Sequence, residues 1–139
     1  MRIAIIQLDT VWEQKVANYN RVNQLLDSLS DPVDLICLPE MFATGFTMQA
    51  DDIAEAPDGP TFQFLEHLAQ AHGAAVAGTT VERGQRGGRN TCLLFDKTGT
   101  LVSRYAKMHP FSFAGEDRHY EKGDHMPVVP LLGFQVATP

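Results

Sequence analysis

The chain has 139 residues, of which 44% are hydrophobic and 20% are charged, and its formal net charge is -6. This length suits one domain with a hydrophobic core, and the composition is ordinary for a soluble globular protein. The acidic balance disfavours nucleic acid as a partner, and no apolar run approaches the roughly 20 residues that span a bilayer. The N-terminus does not read as a signal peptide, and both cysteines lie in apolar runs, which together predict a reduced, cytoplasmic protein.

The first forty residues predict a strand, a helix and a second strand. Residues 3–8 form a short apolar run, which is typical of a buried strand. From Trp12 to Leu29, apolar side chains recur at steps of three and four and predict one buried face of a helix that ends before Pro32. Residues 35–38 are continuously apolar, as expected for a parallel strand buried on both faces.

The rest of the chain predicts one more helix and several strands. Residues 41–59 form a loop whose length suggests a functional role. Pro60 and Gly73 are suited to begin and end a helix with Phe64, Leu65 and Leu68 facing inward. Further strands are predicted at residues 74–79, 90–95, 100–105, 127–129 and 134–137, with a hairpin turn at 96–99. This order of elements predicts an α/β fold.

Two charged residues follow predicted strands. Glu40 lies at the carboxyl end of the 35–38 strand, where open α/β sheets bind their ligands. Lys107 follows the 100–105 strand and precedes a segment too apolar for an ordinary surface loop. Each residue taken alone is also typical of a solvated surface, and their spacing does not decide whether they meet.

Several separated motifs match one known family. They are Leu38-Pro39-Glu40-Met41-Phe42, Gly78-Thr79, Asn90, the run from Tyr105 to Phe111, Gly115-Glu116 and Gly123-Asp124. Together they resemble the nitrilase superfamily of carbon–nitrogen hydrolases, and the resemblance runs from Arg2 to the last residue. Residues 41–48 and 108–111 are most similar to the omega-amidase branch, which hydrolyses the side-chain amide of 2-oxo acids such as 2-oxoglutaramate.

The resemblance implies a catalytic role for three residues. Glu40 would be the general base that takes a proton from a cysteine thiol, and Lys107 would stabilise the oxyanion of the tetrahedral intermediate. Glu116 would orient the site and accept a hydrogen bond from the lysine. The implied substrate is a small-molecule amide, and the resemblance implies no metal and no organic cofactor.

Further residues are candidates for substrate binding. Phe42 and Phe111 are predicted to wall the substrate pocket, and Phe113 is predicted either to join them or to pack in the core. Arg118 is a candidate for binding a substrate carboxylate.

The nucleophile is where the chain departs from the family. In the family, the catalytic cysteine opens a Cys-Tyr-Asp-Leu-Arg-Phe-Pro type of motif after a strand that residues 134–139 resemble. Cys37 and Cys92 lie inside predicted strands and are expected to be core residues. The expectation is therefore that residues 1–139 are the N-terminal part of a hydrolase domain, truncated before the nucleophile and inactive alone. The alternative is a non-catalytic pseudoenzyme or half-subunit that binds a partner or a small acid amide.

The resemblance also implies an architecture. The family forms a four-layer α-β-β-α sandwich from roughly twice this length, so residues 1–139 would form half of it. The full-length form is expected to be a homodimer. The half alone is expected to expose apolar surface and strand edges, and so to aggregate, dimerise or melt at low temperature.

Two other patterns carry simpler interpretations. The arginine- and glycine-rich segment 83–89 is similar to nucleic-acid-binding segments, but one short copy in an acidic chain favours a flexible loop between strands. The histidines lack the spacing of known metal motifs. An alternative that stays open is a metal site formed by His109, His119 and His125 with Asp117 and Asp124.

Overall fold

A computed structural model describes residues 1–138. Its main element is a five-stranded sheet in the order β1-β2-β3-β4-β5, in which β1, β2 and β3 are parallel and β4 and β5 are antiparallel to their neighbours. The strands are β1 (Ile3–Ile5), β2 (Leu35–Cys37), β3 (Ala75–Arg83), β4 (Gly88–Phe95) and β5 (Leu101–Ala106). The predicted α/β class is confirmed.

The helices α1 (Lys15–Asp27) and α3 (Pro60–His72) pack on one face of this sheet, and the short α2 (Ala50–Ile53) lies in the predicted 41–59 loop. Leu65, which is completely buried, joins the core that the sheet forms with both long helices. The predicted limits of α3 are confirmed. Pro60 occupies its first turn, and Gly73 ends it with a φ of 58°, a left-handed conformation that glycine adopts without steric cost.

The predicted apolar face of α1 is only partly correct. Trp12 precedes the helix and is 59% exposed, and Val16 is 71% exposed. The buried positions are Val22, Leu26 and the polar Asn18. Asn18 is buried because its side chain bonds the backbone of Val11 through both the amide oxygen and nitrogen, and also donates to the carbonyl of Ala43. These backbone partners, distant in sequence, decide which face of α1 turns inward.

The opposite face of the sheet is covered only in part. Strands β6 (Val128–Leu131) and β7 (Phe134–Ala137) form the antiparallel pair that the sequence predicts, and Leu131 packs against Ala75 and Leu94 of the central strands. The first edge strand stays open, and Ile5 is 82% exposed. The prediction of a buried strand at residues 3–8 is therefore only partly correct: Ala4 is buried, but the β6–β7 pair does not extend over Ile5 on the other face.

The hairpin predicted at residues 96–99 is confirmed, with Gly99 at a φ of 83° between β4 and β5. Strand β3 continues four residues beyond the predicted Thr79 because β4 pairs with it as far as Arg83. No helix among residues 1–138 has the length and apolar composition needed to cross a bilayer.

Candidate active site

The predicted catalytic residues lie together at one end of the strands, the end at which β2 and β5 finish. Glu40 lies three residues after β2, and Lys107 is the first residue after β5. Strand β4 runs in the opposite direction, so its beginning, with Asn90, reaches the same end. Strands β2 and β5 both end there, and β3 passes the same place at Thr79, so residues distant in sequence become neighbours.

Lys107 bridges two glutamates. Its Nζ lies 3.0 Å from Oε1 of Glu40 and 3.0 Å from Oε2 of Glu116, and it stands 5.2 Å from the ring centroid of Phe46. Partial burial by itself would lower the pKa of Lys107. The hydrogen bonds and the charges of the two carboxylates have a larger, opposite effect, so the net pKa of Lys107 is raised. The side chain is therefore an ammonium at neutral pH.

Glu116 is the buried member of this group. It has no exposed surface, and its Oε2 also accepts a hydrogen bond of 2.5 Å from the backbone N–H of Phe111. It begins the 3-10 turn Glu116–Arg118 just after Gly115, whose φ of 81° directs the chain inward. Oε2 is thus paired and hydrogen-bonded, which offsets part of the cost of burying a carboxylate, whereas Oε1 is buried without a hydrogen-bond partner among residues 1–138.

Glu40 is held from two directions. The side-chain amide of buried Asn90 donates a hydrogen bond of 2.6 Å to the same Oε1 that Lys107 contacts. The next residue, Met41, has a φ of 52°, and its N–H donates to Oγ1 of Thr79 at 2.5 Å. A non-glycine residue in this conformation is held there by its surroundings. The carboxylate is thus positioned while its side chain stays 46% exposed.

A cavity of about 290 Å³ opens beside these groups. Its lining residues are Glu40, Thr79, Asn90, Cys92, Tyr105 and Lys107. The expectation that Cys37 and Cys92 are core residues is wrong, since both are only partly buried, and Cys92 also borders this cavity. Burial raises the pKa of Cys92 to about 11 and also raises the pKa of Cys37. Both thiols are therefore protonated at neutral pH and are poor nucleophiles.

None of the predicted substrate-binding residues lines this cavity. Phe42 is completely buried in the core, with its ring centroid 6.0 Å from that of Phe64. Its predicted role as a pocket wall is corrected, because a residue without exposed surface presents nothing to a ligand. Phe111 is 59% exposed and packs beside Phe113, which is 95% exposed and does not belong to the core. Arg118 is exposed and lines a different cavity.

Two contacts of the site were not predicted from the sequence. The hydrogen bond from Asn90 to Glu40 and the ring of Phe46 beneath Lys107 arise only from the fold. The signal available for Asn90 was a polar amide at the start of an otherwise apolar strand. For metals, no three His, Cys, Asp or Glu side chains within residues 1–138 are grouped to hold an ion. His109, His119 and His125 are all exposed.

Comparison with known proteins decides the family. The family model for carbon–nitrogen hydrolases matches residues 2–137. The chain belongs to the carbon–nitrogen hydrolase family. Among curated family members, the omega-amidase YafV of Yersinia enterocolitica is 34% identical over 136 residues, which are 98% of this chain and 52% of that protein. The 2-oxoglutaramate amidase of Bacillus subtilis is 26% identical over 123 residues, 87% of this chain and 48% of that protein.

A solved structure of the same superfamily extends the comparison to the fold. A CN-hydrolase superfamily protein from Xanthomonas campestris, determined with an arsenic adduct in its active site, is 34% identical and superposes with a TM-score of 0.91. The superposition covers 99% of this chain and 51% of that one. The chain thus spans about half the length of the relatives it matches, and the prediction that it forms half of a nitrilase-type fold is confirmed.

Proposed function

We propose that this chain carries the acid–base and oxyanion-stabilising part of an omega-amidase, which hydrolyses a terminal carbon–nitrogen bond and releases ammonia. The observation that carries the proposal is the Lys107 ammonium, 3.0 Å from each of two carboxylates at one end of the strands in a member of the carbon–nitrogen hydrolase family. Charged groups that hold each other in a cavity are typical of catalytic sites.

Glu40 is the general base in this proposal, and the geometry favours one of its two oxygens. Oε1 accepts from both Asn90 and Lys107, whereas Oε2 accepts no hydrogen bond from residues 1–138. The unoccupied Oε2 is the oxygen that takes the proton. Exposure of nearly half of the side chain leaves it accessible to a thiol and to water.

Lys107 supplies the positive charge for the oxyanion. An ammonium has three N–H donors, and the two glutamates accept from two of them. The third is available to the oxygen of a tetrahedral intermediate. Glu116 and the ring of Phe46 hold Nζ in place, so little reorganisation is needed when the negative charge develops.

The nucleophile in this proposal is a cysteine other than Cys37 or Cys92, whose pKa values are raised by burial. We assign it to the part of the family's domain that residues 1–139 do not cover. Glu40 takes the thiol proton, and the thiolate adds to the amide carbonyl. The C–N bond then breaks, and nitrogen leaves as ammonia with the proton returned from Glu40. Water, deprotonated by Glu40, then adds to the thioester carbonyl. The C–S bond breaks, the carboxylic acid is released, and Glu40 returns the proton to the departing cysteine sulfur.

The proposed substrate class is the omega-amide of a 2-oxo dicarboxylic acid, with 2-oxoglutaramate as the test compound. The names of two relatives, an omega-amidase and a 2-oxoglutaramate amidase, support this choice.

The test is ammonia release from 2-oxoglutaramate by the longest reading frame that contains residues 1–139 and, separately, by residues 1–139 alone. We expect turnover only from the longer protein, with Glu40→Gln and Lys107→Met each reducing kcat by at least about 10²-fold. Lys97→Met, at an exposed turn, is the matched control. Turnover by residues 1–139 alone would overturn the assignment of the nucleophile. An inactive longer protein that still binds the amide would favour the non-catalytic alternative.

A further inference from the structure

The arginine- and glycine-rich turn between β3 and β4 forms one wall of a second cavity, of about 520 Å³. The facing wall is the segment that follows Glu116. The lining residues with charged or titratable side chains are Arg86, Arg89, Asp117, Arg118, His119, Tyr120, Glu121 and Lys122. None of the lining residues belongs to the cavity beside Glu40 and Lys107. This cavity is a separate feature of the molecule.

The two walls are tied together by Glu121. Its carboxylate accepts hydrogen bonds of 3.1 and 3.0 Å from Nε and Nη2 of Arg89, and another from the backbone N–H of Arg86. Its own N–H donates to the carbonyl of Gly88 at 2.8 Å. The shape of the cavity is therefore built into the fold, and the charges of Glu121 and Arg89 offset each other.

The remaining charges of the cavity are mostly positive. The side chains of Arg86, Arg118 and Lys122 form no ion pair and no hydrogen bond with residues 1–138, and Asp117 is the one other carboxylate in the lining. Arg86 and Arg118 also border a neighbouring cavity of about 200 Å³, where Asp51 and Asp52 lie without forming an ion pair to either arginine. Three cations without an ion pair among residues 1–138 thus line one cavity in a chain whose net charge is -6.

We propose that this cavity binds the phosphate group of a small phosphorylated molecule. A phosphate group carries close to two negative charges at neutral pH and several acceptor oxygens, so it suits a cavity lined by three such cations better than a single carboxylate does. The planar guanidinium groups of Arg86 and Arg118 can each donate two parallel hydrogen bonds to phosphate oxygens. The cavity volume lies in the usual range of small-molecule sites, so a group larger than bare phosphate fits.

The test is calorimetric titration of the longest reading frame that contains residues 1–139, at constant ionic strength, with inorganic phosphate, glycerol phosphate or succinate. We expect saturable one-to-one binding of both phosphate compounds and weaker binding of succinate. Equal affinity for the two phosphate compounds would mean that the cavity recognises the phosphate group alone. Tighter binding of glycerol phosphate than of inorganic phosphate would mean that the rest of the cavity contacts the glycerol group. Arg86→Gln with Arg118→Gln should weaken binding by at least about tenfold, since each removes a charge-assisted hydrogen bond.

The control is Arg2→Gln with Arg21→Gln, which removes the same total charge from distant surface sites. Equal weakening by the two double variants would show that net charge alone attracts the anion and would overturn the proposal. Succinate binding as tight as phosphate, or an oligonucleotide that displaces the monoester at lower concentration, would overturn the ligand class. All four arginine side chains are partly or fully exposed, so unchanged thermal melting is expected for both double variants.

Discussion

Replacing Lys107 with methionine tests whether its ammonium is what allows a carboxylate to be buried at Glu116. Among residues 1–138, Lys107 is the only cation that pairs with Glu116, and the Glu116 side chain has no exposure. Removing one member of a buried ion pair costs about 3–5 kcal/mol of the free energy of unfolding. Lys107 is 27% exposed and the N–H of Phe111 still bonds the carboxylate, so we expect the lower limit, about 3 kcal/mol.

The assay is urea unfolding of the longest reading frame that contains residues 1–139, followed by circular dichroism, with thermal melting alongside. A loss of about 3 kcal/mol lowers the Tm by roughly 6–12 °C in a protein of 150–250 residues. Adding Glu116→Gln to Lys107→Met should recover about 2 kcal/mol, because it removes the unpaired charge. Lys97→Met should change stability by less than about 0.5 kcal/mol.

Two results would refute this reasoning. A loss below about 1 kcal/mol for Lys107→Met would mean that water or another group solvates Glu116. A double variant that is as unstable as the sum of the single variants would mean that the two side chains act independently.

Three further outcomes are expected. Asn90→Leu should lower kcat of the active protein about tenfold, because its amide positions Glu40 through a hydrogen bond. An unchanged kcat would contradict this. Iodoacetamide should label Cys92 at pH 8 roughly 100-fold more slowly than a free thiol, as measured by mass spectrometry. The labelling rate should rise until the pH reaches the pKa of about 11, and fast labelling at pH 8 would contradict the raised pKa of Cys92. Leu65→Ala should cost about 2–5 kcal/mol in urea unfolding and Leu25→Ala less than about 1, and similar losses would contradict the assigned core.

The elements that the sequence predicts correctly are those with local chemical causes. The ends of α3 follow from proline's fixed φ at the first turn and from glycine's access to a left-handed C-cap. The β4–β5 hairpin follows from Asp96, whose carboxylate accepts the N–H groups of Thr98 and Thr100 and closes the turn. These interactions act within a few residues, so the sequence pattern carries them directly.

The predictions that fail depend on partners distant in sequence. Asn18 is buried only because the backbone of Val11 and Ala43 comes within hydrogen-bonding distance. Ile5 has the composition of a core residue but is 82% exposed, since no element of residues 1–138 covers that edge of the sheet. The sequence predicts that Phe42 walls the substrate pocket, yet its side chain is buried in the core. A periodic pattern of apolar residues predicts that one face of an element is buried, but it does not identify the element that covers that face.

For the candidate site, the sequence by itself determined which residue types follow which strands, and its motifs were sufficient to name the family. Only the tertiary structure decided that Glu40, Lys107 and Glu116 form one bridged group, that Asn90 selects one oxygen of Glu40, and that Cys92 borders the cavity. The physical reason is strand register. Parallel and antiparallel pairing brings residues 40, 90 and 107 to one end of the strands, and that pairing is a property of the assembled sheet.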